Sequence, residues 1–255
     1  MKKNIGTEKK NKILVKNEKK SVNIKRTNSS IKKLQYEFIN STSHQLRTPI
    51  ASIQSSLDVL ELYIIKENTA RQIQAIHKIK KSLEGLKDTL ERITTLYKNE
   101  FVKQKLKKVK IEPHKFFNDI LDEIMVLSGE TYFININFEL TKKFIYADEF
   151  ILKQIIINLL SNAVKFTPGG GQIRMFIKSE RNTLKISIKD EGIGISKKDL
   201  NNLYNPFFRG SNVSTIHGDG LGLAIVKKLC NLHKAKIICE SEINKGTEFI
   251  LSIPQ

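Results

Sequence analysis

The apolar residues of segment 31–98 recur at alternating steps of three and four, which is the spacing of one face of an α-helix. A polar segment at 66–69 interrupts this pattern, and the same spacing resumes from Ile76 to Tyr97. The pattern predicts two long amphipathic helices joined by a short turn. Because two such helices cannot bury their apolar faces alone, we expect two copies of 31–98 to pair as a four-helix bundle, which would make the chain a homodimer.

A different pattern begins at Pro113, where helical periodicity alternates with short strand-like segments. Helices are predicted at 113–127, 148–165 and 221–232, and strands at 132–140, 172–179, 183–189, 235–241 and 247–253. Because several of these strands are separated by tight turns, we expect an α/β sandwich with a mixed, largely antiparallel sheet. The predicted fold class is therefore multidomain, with an α hairpin followed by an α/β domain.

The length of 255 residues exceeds that of one typical domain, and the two patterns divide it. The predicted parts are a basic leader at 1–30 (flexible or continuing into the first helix), the helical hairpin at 31–98, a charged linker at 99–112 and the α/β domain at 113–255.

The cysteine content and the lengths of the apolar runs favour a soluble intracellular protein. No apolar run approaches the ~20 residues needed to cross a bilayer, and the first 33 residues are polar. The two cysteines, Cys230 and Cys239, indicate a reducing compartment and most simply pack as small apolar residues. We expect a cytoplasmic location, either as a free protein or as the cytoplasmic portion of a membrane-associated one.

The positive charge is concentrated at the start of the chain. The formal charge is +18, and residues 1–33 hold twelve basic and two acidic side chains. Lysine far outnumbers arginine, whereas nucleic-acid recognition relies on the bidentate arginine fork. We favour a solvated leader over a segment that binds an anionic membrane surface, and both over binding of DNA or RNA.

Three polar residues share one face of the helix predicted at 148–165. Asn158, Asn162 and Lys165 are spaced by four and three residues. Amide oxygens suit a hard cation such as Mg²⁺, and an ammonium group suits a phosphate. The alternative is a polar helix surface without a ligand.

An aspartate followed by two glycines closes the strand predicted at 183–189. In the sequence Asp190-Glu-Gly192-Ile-Gly194, the carboxylate offers a hydrogen-bond acceptor, and the glycines permit close backbone approach to a flat ligand. A plain turn is the alternative interpretation.

A glycine loop opens the helix predicted at 221–232. Gly218, Gly220 and Gly222 would let backbone N–H groups converge on phosphate oxygens at the positive end of a helix. The spacing matches neither a dinucleotide-binding fingerprint nor a Walker loop. The polar segment before this loop, 211–217, has the composition of a mobile lid.

Taken in order, these segments resemble the ATP-binding domain of histidine kinases and of related topoisomerase, heat-shock and mismatch-repair ATPases, over 113–255. The resemblance implies that Asn162, with Asn158 beside it, binds Mg²⁺, and that Asp190 accepts the adenine amino group. The ATP-binding residues that it implies are Asn158, Asn162, Lys165, Phe166, Asp190, Gly192, Gly194, Arg209, Gly218, Gly220, Leu221, Gly222 and Thr247. Non-kinase relatives have a water-activating glutamate in the place of Asn158, so its absence argues against simple ATP hydrolysis.

The segment FINSTSHQLRTPI at 38–50 resembles the phospho-acceptor box of histidine kinases. It makes His44 the expected nucleophile, lying off the apolar seam, and Pro49 should bend the helix nearby. The family usually has an acidic residue after this histidine, but here it is Gln45, which cannot hold a proton as a carboxylate does. Thr48 matches the position that the family uses in its reverse phosphatase activity.

The predicted function is therefore an ATP- and Mg²⁺-dependent autokinase that phosphorylates His44. The phosphoryl group would pass to an aspartate on the receiver domain of a separate response regulator. Two alternatives remain open. One is a weak kinase that acts mainly as a phosphatase or as a nucleotide-gated scaffold, and the other is a nucleic-acid-binding protein.

Overall fold

A computed structural model describes residues 40–97 except 41 and 44, together with 106–128, 132–213, 216 and 218–255. The chain divides into two compact units, with the division after Leu86. The predicted domain limits stay predictions.

The helical hairpin predicted from the apolar spacing is present, and the first unit includes its first helix and its second helix as far as Leu86. Helix α1 covers residues 45–65, and helix α2 covers Thr69–Tyr97. The chain reverses at Glu67, which has a left-handed φ of 53°. Asn68 then caps α2, because its Oδ1 accepts the backbone N–H of Arg71 at 3.1 Å. Among the described residues, no helix is both long enough and apolar enough to span a membrane.

The second unit contains the α/β domain. Its helices are α3 (Pro113–Ser128), α4 (Glu149–Phe166), α5 (Lys197–Leu200) and α6 (Gly222–Leu232). Its strands are β1 (Lys108–Ile111), β2 (Phe133–Glu139), β3 (Ile145–Asp148), β4 (Gln172–Glu180), β5 (Thr183–Asp190), β6 (Lys236–Glu242) and β7 (Gly246–Pro254).

The main sheet has five strands in the order β2-β4-β5-β7-β6. Only the β2–β4 pair is parallel, so the prediction of a mixed, largely antiparallel sheet is confirmed. Two short strands were missed: β1 lies inside the predicted linker and pairs with β3 in a separate antiparallel ribbon. Each has only four residues, and the alternation of lysines with apolar residues in β1 is too short to indicate a strand.

The core lies between one face of this sheet and the helices. On β5, Leu184, Ile186 and Ile188 are buried, and their period of two places Asp190 on the same face at the end of the strand. The thiol of Cys230 is buried in α6, and burial raises its pKa to about 12. The prediction that this cysteine packs as an apolar residue is confirmed.

Candidate functional site

A pocket of about 210 Å³ lies within the second unit. It is bounded by the C-terminal end of α4, the loop after β5, the segment before α6 and the start of β7. Ten residues predicted to bind ATP line it: Asn162, Lys165, Phe166, Asp190, Gly194, Arg209, Gly218, Gly220, Gly222 and Thr247. Asn158, Gly192 and Leu221 do not belong to this lining.

Asp190 lines the pocket and is only 4% exposed. Its Oδ1 accepts two backbone N–H groups, from Gly192 at 2.9 Å and from Thr247 at 3.1 Å. Burial raises the pKa of this carboxyl group, and the two amide hydrogen bonds oppose that rise. No described residue donates to Oδ2, so this oxygen can accept a hydrogen from a ligand.

The two glycines after Asp190 are required by backbone packing. A side chain on Gly192 would collide with the carbonyl oxygen of Phe166, and one on Gly194 would collide with that of Glu242. Gly194 also has a φ of +68°, which favours glycine. Their predicted role in admitting a flat ligand stays a prediction.

Three half-buried side chains on α4 form the polar wall of the site; Asn162 and Lys165 line the pocket itself, and Asn158 lies beside it near Gly222. The Nδ2 of Asn158 donates to the carbonyl of Gln154 at 2.8 Å, which fixes the orientation of the amide. The Oδ1 of Asn158 lies 3.1 Å, and the Nδ2 of Asn162 3.9 Å, from the place that a Cβ on Gly222 would occupy. Lys165 Nζ occupies the space that a side chain on Gly218 would need.

Lys165 lies in a crowded electrostatic environment. Burial lowers the pKa of this ammonium group, Asp219 opposes the effect, and Arg209 and Arg92 add to it. Three cations and one carboxylate therefore lie near one another in the pocket lining. The pocket has a buried hydrogen-bond acceptor at Asp190 and a cluster with net positive charge around Lys165, which suits a ligand that carries both a hydrogen-bond donor and an anionic group.

Helix α6 begins directly at the glycine loop. The residue before it, Leu221, makes no side-chain capping hydrogen bond. Instead, the N–H of Leu221 donates to Oδ1 of Asp219 at 3.0 Å. Gly220 has a φ of +69°, and a side chain there would meet the backbone of Phe207. The loop is thus held in a shape that places the helix N-terminus beside the pocket.

Arg209 braces the segment before the glycine loop. Its Nη2 donates to the carbonyls of Val213 at 2.7 Å and Ile216 at 2.6 Å. The sequence did not reveal this role. It also missed Asp199, which is buried and accepts both the N–H and the hydroxyl of Ser211. These hydrogen bonds lower the pKa of Asp199 and fasten the segment to α5.

Among the lining residues that were not predicted, one charged residue lies outside every motif. Arg92, on the part of α2 that belongs to the second unit, lines the pocket and pairs with Asp219 at 3.0 Å between Nη1 and Oδ2. The sequence pattern assigned the whole of α2 to the hairpin, so no motif could have identified this arginine.

Two of the three predicted catalytic residues lie on the described part of the first helix. Gln45 is half-buried and Thr48 is exposed on α1. Their spacing of three residues places them on neighbouring parts of one helical face. His44 lies outside the described residues, so its predicted position off the apolar seam stays a prediction.

Two protein families match the chain. Residues 34–101 match the His Kinase A (phospho-acceptor) domain. Residues 147–255 match the histidine kinase-, DNA gyrase B-, and HSP90-like ATPase family.

Curated relatives match most of this chain. The sensor protein RprX of Bacteroides fragilis is 30% identical over 227 residues, which cover 87% of this chain and 44% of RprX. The sensor histidine kinase WalK of Bacillus subtilis is 30% identical over 236 residues, covering 86% of this chain and 36% of WalK. The autoinducer 2 sensor kinase/phosphatase LuxQ of Vibrio vulnificus is 32% identical over 253 residues, covering 94% of this chain and 29% of LuxQ. The chain therefore spans less than half the length of these relatives.

Solved structures share the fold. The histidine kinase AdeS of Acinetobacter baumannii superposes with a TM-score of 0.62 at 22% identity, over 83% of this chain and 97% of AdeS. The histidine kinase ThkA, solved in complex with the response regulator TrrA, gives a TM-score of 0.56 at 21% identity, over 86% of this chain and 61% of that one.

Proposed function

We propose, from the premise that this chain belongs to the histidine kinase family, that it is an ATP-dependent autokinase whose phosphorylated residue is His44. One observation carries the proposal: a single pocket is lined by a buried carboxylate acceptor and by a cluster of cations. The match to a phospho-acceptor domain over 34–101 supplies the residue that would receive the phosphoryl group.

Adenine binds at Asp190. The Oδ1 of this residue already accepts two backbone hydrogens, so Oδ2 accepts the amino group of the base. A buried carboxylate that lost this partner would remain desolvated without compensation, which favours adenine over bases that lack the amino group.

The triphosphate lies against Lys165 and the N-terminus of α6. Backbone N–H groups at a helix start and an ammonium group both stabilise phosphate oxygens. Because Lys165 is half-buried, its charge is screened less than it would be at the surface.

The polar wall of α4 fits Mg²⁺. This ion typically takes one or two protein oxygens and completes its octahedron with water and substrate phosphates. Asn162 and Asn158 supply amide oxygens, and the amide of Asn158 is oriented by its hydrogen bond to Gln154. When bound, the ion would neutralise charge on the phosphates.

The phosphoryl group moves from ATP to the imidazole of His44. A ring nitrogen attacks the γ-phosphorus, the bond to the β–γ bridging oxygen breaks, and ADP leaves. The ring proton is then lost to a base. Gln45 cannot be that base, since an amide does not take up a proton near neutral pH, so we expect transfer to be slow.

The same chain acts as a homodimer through 31–98. Apolar side chains on the hairpin remain exposed, among them Leu57 at 44%, Ile64 at 56% and Leu83 at 50%. A second hairpin would bury these surfaces in a four-helix bundle.

The partner that accepts the phosphoryl group is the receiver domain of a response regulator, in the cytoplasm where ATP is available. ThkA has been solved with a response regulator, and that relative supports this choice of partner. Gln45 favours one second candidate, a chain whose main activity is removal of phosphate from the regulator.

Labelling with ATP that carries radioactive phosphorus at the γ position tests the proposal. The wild-type chain with Mg²⁺ should acquire a label that acid removes and alkali does not, as expected for phosphohistidine. His44→Gln should abolish the label, and the matched control His77→Gln, at an exposed position of α2, should keep it. Nucleotide binding without any label would favour the phosphatase or scaffold, and label in His44→Gln would refute the assignment.

A further inference from the structure

The cations that line the pocket include Arg92, which no motif predicted. Its Nη2 lies 3.3 Å from the place that a Cβ on Gly222 would occupy, and Oδ1 of Asn158 lies 3.1 Å from the same place. The guanidinium group is therefore beside the start of α6 and beside the amide expected to assist Mg²⁺ binding. With a side chain 40% exposed, it retains access to a ligand.

The position of Arg92 is fixed by neighbouring contacts at the end of α2. Lys228 on α6 donates from Nζ to the carbonyls of Thr95 at 2.9 Å and Leu96 at 2.5 Å. These carbonyls belong to the last described turn of α2. Ile93 and Leu96 also pack against the core of the second unit. Arg92 is thus held at the pocket by a docked helix end.

Asp219 accepts hydrogen bonds from two donors that would also suit a phosphate. It lies between two glycines of the loop, its Oδ1 takes the N–H of Leu221 at 3.0 Å, and its Oδ2 takes Arg92 at 3.0 Å. A helix-start amide and a guanidinium group are both strong donors to phosphate oxygens. A triphosphate carries more negative charge than one carboxylate and can compete with Asp219 for Arg92.

We propose that Arg92 binds the terminal phosphate of ATP, exchanging the carboxylate of Asp219 for phosphate oxygens, and so makes the pocket prefer a triphosphate to a diphosphate. This inference rests on the proposed function, since it needs ATP in this pocket. Arginine suits the role because its planar fork has five N–H donors and matches phosphate in a bidentate manner. ADP lacks the phosphate that Arg92 would reach, so only ATP gains from the exchange.

Calorimetric titration of the full chain tests the exchange, with Mg²⁺ present and with either a non-hydrolysable ATP analogue or ADP as the ligand. We expect Arg92→Ala to weaken binding of the analogue about tenfold and to change ADP binding far less, because it removes one charge-assisted hydrogen bond from a partly screened site. Arg92→Lys keeps the charge but loses the planar fork, so its affinity for the ATP analogue should lie between those of the wild-type chain and Arg92→Ala. The control is Arg71→Ala, which removes an exposed guanidinium from the same helix in the other unit.

Equal weakening for both nucleotides in Arg92→Ala would overturn the inference while leaving the proposed pocket intact. Unchanged binding, or tighter binding of the ATP analogue, would also overturn it, and tighter binding would mean that the Arg92–Asp219 pair merely blocks the pocket. If the wild-type chain bound neither nucleotide, the proposed function would fail and the inference with it.

Discussion

Replacing the buried carboxylate by an amide, Asp190→Asn, should reverse the base preference of the pocket while preserving the fold. The substitution keeps the shape of the side chain, and the amide Oδ1 can still accept the N–H groups of Gly192 and Thr247. The changed atom is Oδ2, which becomes an NH₂ donor. A donor would then face the amino group of adenine, which is also a donor.

The magnitude follows from the hydrogen bond that is lost. A hydrogen bond to a charged group contributes about 1.5–3 kcal/mol, and opposing two donors leaves both unsatisfied. We therefore expect a loss of about 3 kcal/mol for ATP, which corresponds to a roughly 100-fold weaker Kd. Inosine triphosphate has a carbonyl oxygen in place of the amino group, so it should bind the variant better than the wild-type chain.

The unliganded variant should remain folded. Burial raises the pKa of Asp190, so in the wild-type chain this group contributes stability that is complete below its unfolded pKa and is lost as the pH rises through the folded value. The amide has no charge to desolvate, which offsets its weaker hydrogen bonds to the two backbone N–H groups. We expect the free energy of unfolding at pH 7 to change by less than about 1 kcal/mol, measured by urea denaturation.

The assay is the ratio of the dissociation constants for non-hydrolysable analogues of ATP and inosine triphosphate, measured for wild type and variant. Glu191→Gln is the matched control, because Glu191 is the adjacent carboxylate but is half-exposed, pairs with Arg174 and lies outside the pocket lining. Binding of ATP by Asp190→Asn as tight as in wild type, or an equal loss of both nucleotides, would show that Asp190 does not select adenine.

Three further predictions concern the rest of the chain. Gln45→Glu restores a carboxylate base and should raise the initial rate of autophosphorylation. We expect an increase of at least about tenfold, since general-base assistance typically contributes ~10²–10⁴-fold. An equal or slower rate would count against the assigned role. Leu83→Lys places a charge on an exposed apolar position and should shift the chain from dimer to monomer in sedimentation, whereas Lys87→Ala should not. Burial lowers the pKa of His233, whose Nε2 accepts the N–H of Asp148, so the neutral ring favours folding. Stability should fall as the pH drops below about 6.5, the usual histidine value, and a His233→Gln variant measured by thermal unfolding should lose this part of the pH dependence.

The helices and long strands could be predicted because their apolar spacing is regular over many residues. The spacing ending at Tyr97 matched α2, and the alternation of Leu184, Ile186 and Ile188 gave both β5 and the face on which Asp190 lies. The strands β1 and β3 could not be identified, because four positions are too few to establish a period. Their stability depends on pairing with each other, which is a long-range property.

The residues of the candidate site also fall into two groups, those that the sequence could identify and those that it could not. Residues in ordered motifs, such as Asn162, Asp190 and Gly222, could be proposed from their spacing, and the pocket brings them together. Arg92 could not, since it lies far from those motifs in the sequence and reaches the pocket only through folding. The bracing role of Arg209 was also hidden, because its acceptors are backbone carbonyls, which carry no signature in the side-chain sequence.

The most direct test of the central claim is to locate the phosphoryl group by mass spectrometry of peptides that contain 38–50, kept at alkaline pH after incubation with ATP and Mg²⁺. We expect phosphorylation of His44 in the wild-type chain, little in Asp190→Asn and none when ADP replaces ATP. A phosphoryl group on another residue, or full occupancy of His44 in Asp190→Asn, would contradict the claim.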